Sequence, residues 1–191
     1  DGVGDDALIA AWDALADRDP QATVFQRAHW FRRWEAVLAG QRTMRTRTFH
    51  RPHADGGDAE IVAVVVETRE LLRLPSGPGE LLRLAGDGEV TDYLGPVCAP
   101  EDREEVADAY VAALAADRGW DEVVLGGMAT DTGWPELIAA AAPRHGLVVE
   151  EAEREAVCPV IDLSGGFAGH LGLMPGRMRQ EVARKARKLT R

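Results

Sequence analysis

The chain has 191 residues, 46% of them hydrophobic and 28% charged, with 22 Lys/Arg against 32 Asp/Glu for a net charge of −10. That length suits one domain able to remove about 70% of its unfolded surface from water, so a core needs neither a structural metal nor a disulfide framework. The acidic balance argues against a surface for duplex nucleic acid, which draws its energy from a basic footprint on phosphates, and no apolar run approaches the roughly 20 residues that span a bilayer.

Two helices open the chain. Leu8, Ile9, Trp12, Leu15 and Ala16 fall at i, i+1, i+4, i+7 and i+8, and Trp30, Phe31, Trp34, Val37 and Leu38 repeat that spacing, so each helix is expected to bury one stripe. Asp5 or Asp6 caps the first, Asp19-Pro20 separates the pair and Gly40 ends the second. Three strands are predicted next: Thr43 to His50, Ile61 to Leu74 with its β-branched run, and Leu81 to Ala85. Gly56-Gly57 and Ser76-Gly77-Pro78-Gly79 form the turns. A helix from about Glu101 to Asp117 carries acids in its first turn and Val106, Tyr110 and Leu114 on its inner stripe. Val123 to Leu125 reads as a short strand, Pro135 to Ala142 as a helix, Leu147 to Glu151 and Val157 to Leu163 as strands, and a last helix starts near Pro175. The order α-α-β-β-β-α-β-α-β-β plus a final helix predicts an α/β fold, of α+β kind, built on a mixed sheet.

Arg83-Leu-Ala-Gly86-Asp-Gly88 fits the Q/R-x-x-G-x-G/A pattern with which acyl-CoA-dependent N-acetyltransferases hold a pyrophosphate. Such a loop needs convergent backbone N–H groups and a helix that begins at once. Here Glu89 to Pro100 intervene, and Asp87 and Glu89 add negative charge beside the glycines. A helix dipole fades within its first turn, so Arg83, Gly86 and Gly88 are expected to be a decoy, a structural turn without cofactor. Asp92 and Tyr93, in the loop that follows, either hydrogen-bond an acceptor amine or hydroxyl, or cap a turn and pack on the next helix.

The element order, with "FQRAHWFRRWEAVL" (25–38), "LLRLAGDGEVTDYLGPV" (81–97), "WDEVVLGGM" (120–128), "CPVIDL" (158–163) and "RMRQEVARKARKL" (177–189), resembles the first half of FemAB- and CelD-like proteins of the GNAT acyltransferase superfamily. In the GNAT plan two helices precede a three-strand meander, and a helix, strand, helix and two strands complete a mixed sheet; the plan's first strand is missing here. The resemblance covers nearly the whole chain. It implies two GNAT-like halves in tandem, a second half that usually holds an acyl-CoA or aminoacyl donor, and an acceptor in the cleft between. The chain would then comprise an acceptor-side domain, 1–174, and a basic helix, 175–191, leading toward a second half or partner subunit outside this sequence. The complete enzyme would transfer an acyl or aminoacyl group to a small-molecule or cell-envelope amine. The start at Asp1 rather than Met fits a trimmed or partly covered chain, and the lack of a signal-peptide pattern there sets the expectation of a cytoplasmic protein. A non-catalytic GNAT-like module that binds or assembles is the alternative.

Residues 177–191 carry seven Lys/Arg and one acid, +6, which leaves −16 on the rest. Like-charge neighbours in that helix cost about 0.2–0.5 kcal/mol per pair, so it is expected to meet an acidic partner: this domain's own acidic face, the missing half, or an anionic acceptor. Arg177, Arg179 and Lys185 are its candidate acceptor-binding cations. No catalytic residue is assigned and no metal is expected, since His50-Arg-Pro-His53 with Asp55 and Asp58 lacks a second ligand cluster. His29, His145 and His170 have no signature linking them to a nucleophile. Cys98 and Cys158 read as buried free thiols, and Trp30 and Trp34 as core rather than an acceptor groove.

Overall fold

Asp5 opens the first helix by accepting the Ala7 amide at 2.9 Å, which satisfies one of the donors left unpaired at a helix start. The computed structural model describes residues 5–38, 40, 42–53, 55–57, 59–74, 77–88, 91–150, 157 and 161–189, and they cluster into two units, Asp1–Glu151 and Ala152–Arg191. Together they make a mixed α/β structure, with six helices and a five-stranded mixed sheet among the described residues.

In the first unit, α1 (Asp6–Arg18) and α2 (Ala28–Leu38) precede an antiparallel meander of β1 (Thr43–Arg51), β2 (Glu60–Leu74) and β3 (Gly77–Leu84). β2 is long because one edge serves two partners in turn. β3 pairs with Glu67 to Leu74, and the two-residue β4 (Val97–Cys98) pairs with Ala63 and Val64. α3 (Arg103–Ala116) then crosses back, and β5 (Glu122–Val124) pairs parallel with β3, Leu82 opposite Val123. α4 (Trp134–Ala141) starts after Gly133, whose φ of +75° suits a residue without a side chain. The second unit holds α5 (Gly166–Leu173) and α6 (Gly176–Leu189).

The core is aromatic at its corners. Trp12 is fully buried, stacks on Phe31 at 5.5 Å and donates its indole N–H to the Gln26 carbonyl at 2.7 Å. A buried indole with its N–H satisfied carries no desolvation debt. Trp34, Tyr110 and Trp134 are likewise enclosed, and Val64, Val65, Val106 and Val111 fill the space between. α1 packs against β2 and β4. α3 covers the sheet face that bears Phe49, whose ring meets Tyr110 edge-on at 6.2 Å.

Several sequence expectations need correction. Leu147 to Glu150, Val157 and Ile161 to Leu163 form no strand; the rest of those two predicted strands, with Cys158, lies outside the described residues. β3 begins at Gly77, inside the stretch read as a turn. On α2 the stripe is buried only as far as Trp34, whereas Val37 is 75% exposed and Leu38 42%. β4 and α5 carried no forecast.

Candidate functional site

Parallel strands end side by side at Leu84 and Val124, and the loops leaving such ends are where α/β sheets offer a concave surface. After Leu84 the chain turns through 85–88. The Ala85 amide donates to Val66 O at 2.9 Å and the Asp87 amide to Leu84 O at 3.2 Å. Gly86 has φ +88°, and a Cβ there would overlap the Thr91 hydroxyl. The Arg83 guanidinium lies 3.4 Å from Glu70 Oε1 and 3.9 Å from Asp87 Oδ2, while Arg42 holds the other Glu70 oxygen at 3.1 Å. Asp87 itself is buried against Gly126, where a Cβ would come within 2.5 Å of Oδ1. Of the three fixed positions of the pattern, Arg83 is engaged by Glu70 and Gly86 is pressed against Thr91, whereas Gly88 is exposed; α3 begins only at Arg103.

Thr91 is buried and its hydroxyl accepts the Trp30 indole N–H at 3.1 Å. On the far side Leu94 donates its amide to Gly127 O at 2.9 Å and bridges to Met128, and Gly95 packs under the Trp134 ring. Between these two anchors Asp92 and Tyr93 stand exposed. Tyr93 has φ +57°, the one positive value on a non-glycine among the described residues. That conformation costs an L-residue about 1–2 kcal/mol, and a bulky residue held there between fixed ends is a mark of functional sites.

Sequence reasoning missed two polar clusters. The Glu67 side chain is fully enclosed and accepts from two of the three Arg47 nitrogens, Nε at 3.2 Å and Nη2 at 3.1 Å. Asp117, just past α3, receives Arg45 and Arg69 at 2.7 Å each and Arg47 at 3.4 Å. Burial alone would raise its carboxyl, but the hydrogen bonds from Arg69, the Gly119 amide and Arg45 overcome that and hold it well below the usual carboxylate range. Burial, and next to it the Glu67 charge, pushes the Tyr110 hydroxyl well above its ordinary value. The period-two spacing of Arg45 and Arg47, with Glu67 and Arg69, was the available signal. The other cluster centres on Arg103, which donates to Asp19 at 2.8 Å, Gln21 at 2.6 Å and the Thr132 carbonyl at 2.9 Å, with its guanidinium 5.9 Å from the Trp134 ring centre. It joins the α1 end to the loop before α4. Nearby Cys98 is a buried thiol pushed up to about 12, mainly by burial.

Asp92 and Tyr93 thus belong to the first unit, and Arg177, Arg179 and Lys185 to the second. On α6, Arg179 donates to the Gly172 carbonyl at 3.2 Å, Lys185 lies 3.8 Å from Glu181, and Arg184 bonds Glu181 through its Nε at 2.9 Å. His50 Nε2 meets the Thr48 hydroxyl at 3.0 Å and Asp55 accepts the Gly57 amide at 3.2 Å; Asp58 lies outside the described residues. Among the described residues no three His, Cys, Asp or Glu converge as metal ligands, and no helix is long and apolar enough to cross a membrane. Comparison of the chain with protein-family models, curated proteins and solved structures gives no match.

Proposed function

We propose that this chain is the N-terminal, acceptor-side half of a GNAT-fold, FemAB/CelD-like N-acyltransferase. The observation that carries the reading is the connection β1-β2-β3-α3-β5, an antiparallel meander whose last strand pairs parallel with the strand after a helix, together with an anchored Asp92-Tyr93 tip where those strands end. Through α4 the element order is compatible with the plan that the resemblance implies, with β4 added between β3 and α3 and no strand after α4 among the described residues. In the complete enzyme a second half or partner subunit would supply the acyl-CoA or aminoacyl donor, and the acceptor amine would attack the thioester or ester carbonyl directly. The amide would form as the C–S or C–O bond breaks and the donor leaves as its thiol or alcohol. Such a step rests on positioning and charge stabilisation, without a metal.

Asp92 would accept from the acceptor's ammonium and, once that proton has left for water, hold the amine in place. Tyr93 would hydrogen-bond a neighbouring polar group of the acceptor. Arg177, Arg179 and Lys185 would meet an anionic part of the acceptor or the other half. The Arg83–Gly88 turn would hold no cofactor, because Asp87 faces inward and Arg83 is held by Glu70. The same filled turn favours a second reading, a GNAT-like binding or assembly module.

The two readings part on one experiment. Acyl transfer by the full-length parent should show Asp92→Asn and Tyr93→Phe raising KM for the acceptor about tenfold, with KM for the donor unchanged. Unaltered kinetics in both variants would remove the acceptor role, and a parent without any acyl transfer would leave the binding module.

A further inference from the structure

The outer side of α2 is a groove of about 190 Å³ lined, among the described residues, by Trp30, Arg33, Trp34, Val37 and Leu38. We propose that it binds a small apolar carboxylate, with the hydrocarbon body on Trp30, Val37 and Leu38 and the acid group on Arg33.

Three observations point there. The apolar floor is uncovered, since Val37 and Leu38 stay exposed on a stripe whose spacing would otherwise serve the core. One wall is fixed in advance: the Trp30 ring meets Phe25 edge-on at 4.8 Å, and its N–H is held by Thr91. A wall that is already ordered loses little freedom on binding. Arg33, the cation of the lining, is exposed and, like its neighbour Arg32, faces no carboxylate among the described residues. A guanidinium beside an apolar surface matches a carboxylate through paired N–H donors. The groove ends at Trp30, next to the anchored loop, so its occupant would lie near Asp92 and Tyr93. The inference does not depend on the acyl-transfer reading.

The test is an NMR titration of the whole chain with 4-phenylbutyrate and with its neutral amide, read at the Trp30 indole N–H and the Val37 and Leu38 methyls. The carboxylate should saturate these shifts with a Kd of about 1 mM or below, and the amide should bind about tenfold more weakly, the worth of one charge-assisted pair. Arg33→Gln, at an exposed position, should bring the carboxylate down to the amide's affinity and leave the amide unchanged. Val37→Asp should abolish both. Shifts that do not saturate, equal affinity for acid and amide, or an Arg33→Gln variant that binds like the parent would each overturn the proposal. So would carboxylate-induced shifts confined to α6, which would report loose pairing with its cations.

Discussion

Trp30 and Thr91, 61 positions apart in sequence, are joined by a hydrogen bond of 3.1 Å from indole N–H to hydroxyl, and it ties α2 to the loop after β3. Thr91 fits there because Gly86 has no side chain to occupy the same space. In this chain that glycine admits a threonine to the turn, which explains its presence without a phosphate.

The two glycines of the pattern should therefore behave differently. Gly86→Ala meets both a φ of +88° and the Thr91 side chain, and should cost about 2–3 kcal/mol from strain and overpacking combined. At Gly88, φ is +72° and the nearest atom to a Cβ is an Arg83 nitrogen at 3.9 Å, so Gly88→Ala should cost about 1 kcal/mol from backbone strain alone. Urea unfolding of the two variants makes the comparison; equal losses would mean that the Thr91 contact is not what selects glycine at 86.

Trp34 and Val37 sit one turn apart on α2, and their periodicity assigns both to the core. Trp34 is 2% exposed and Val37 75%. Trp34→Ala should lose about 3–5 kcal/mol, while Val37→Ala should stay within about 0.5 kcal/mol, as surface changes do. A thermal melt that ranked them the other way would reverse the assignment of the α2 face.

That pair also shows where sequence reading stops. Period and caps place α1 and the start of α2 well, because the driving force, burial of one stripe, is local. How far along a helix the covering partner extends is a tertiary fact. Pro78 reads as a turn, yet in β3 it pairs with Arg73 of β2 in a stretch that β5 does not reach, and a proline is tolerated on a free strand edge. Gly166, Gly169 and Gly172 hide α5, since glycine is among the poorest helix formers. Asp92 and Tyr93 were legible as a loop pair. The left-handed backbone of Tyr93 was not, because sequence suggests that conformation mainly for Gly, Asn and Asp. The partners of Arg47 depend on strand register and on α3, which no local pattern specifies.

Cys98 should be inert in the folded protein. Burial lifts its thiol to about 12, so at pH 8 only about one molecule in ten thousand carries the thiolate that attacks a disulfide reagent. In a Cys158→Ser background, DTNB should release no colour within minutes at pH 8 and one equivalent once urea unfolds the chain. Prompt labelling of the native protein would show that the β4 site opens to solvent.

Asp117 should give the fold an acid limit. Its folded-state pKa is depressed by Arg69, the Gly119 amide and Arg45, so its contribution is fully present above the unfolded value near 3.9 and is lost as pH falls from there toward the folded value. Asp117→Asn, which removes the negative charge that three arginines share, should cost about 3 kcal/mol at pH 7. The gap between variant and parent should narrow below about pH 4, because there the carboxylate of the unfolded parent takes up a proton while the folded one is still ionised. Urea midpoints from pH 3 to 7 measure it, and a gap constant with pH would mean that the loss comes from packing and not from charge.

α6 separates the two functional readings. Within its own unit Met178 is 53% exposed and the cations outnumber the single acid, Glu181, which is shared by Arg184 and Lys185. A helix so charged pays for its like-charge neighbours and recovers part of that cost only at its C-terminal turn, where Arg187 and Lys188 face the negative end of the dipole. If it belongs in the cleft of a two-half enzyme, its amides at 177–189 should exchange within seconds to minutes in this chain and at least about a hundredfold more slowly in the full-length parent, where a partner would bury the stripe of Met178 and Val182. Hydrogen exchange read by mass spectrometry on both proteins decides the matter. Strong and equal protection in the two would mean that α6 is already satisfied without a second half, and the self-contained binding module would then be the reading to keep.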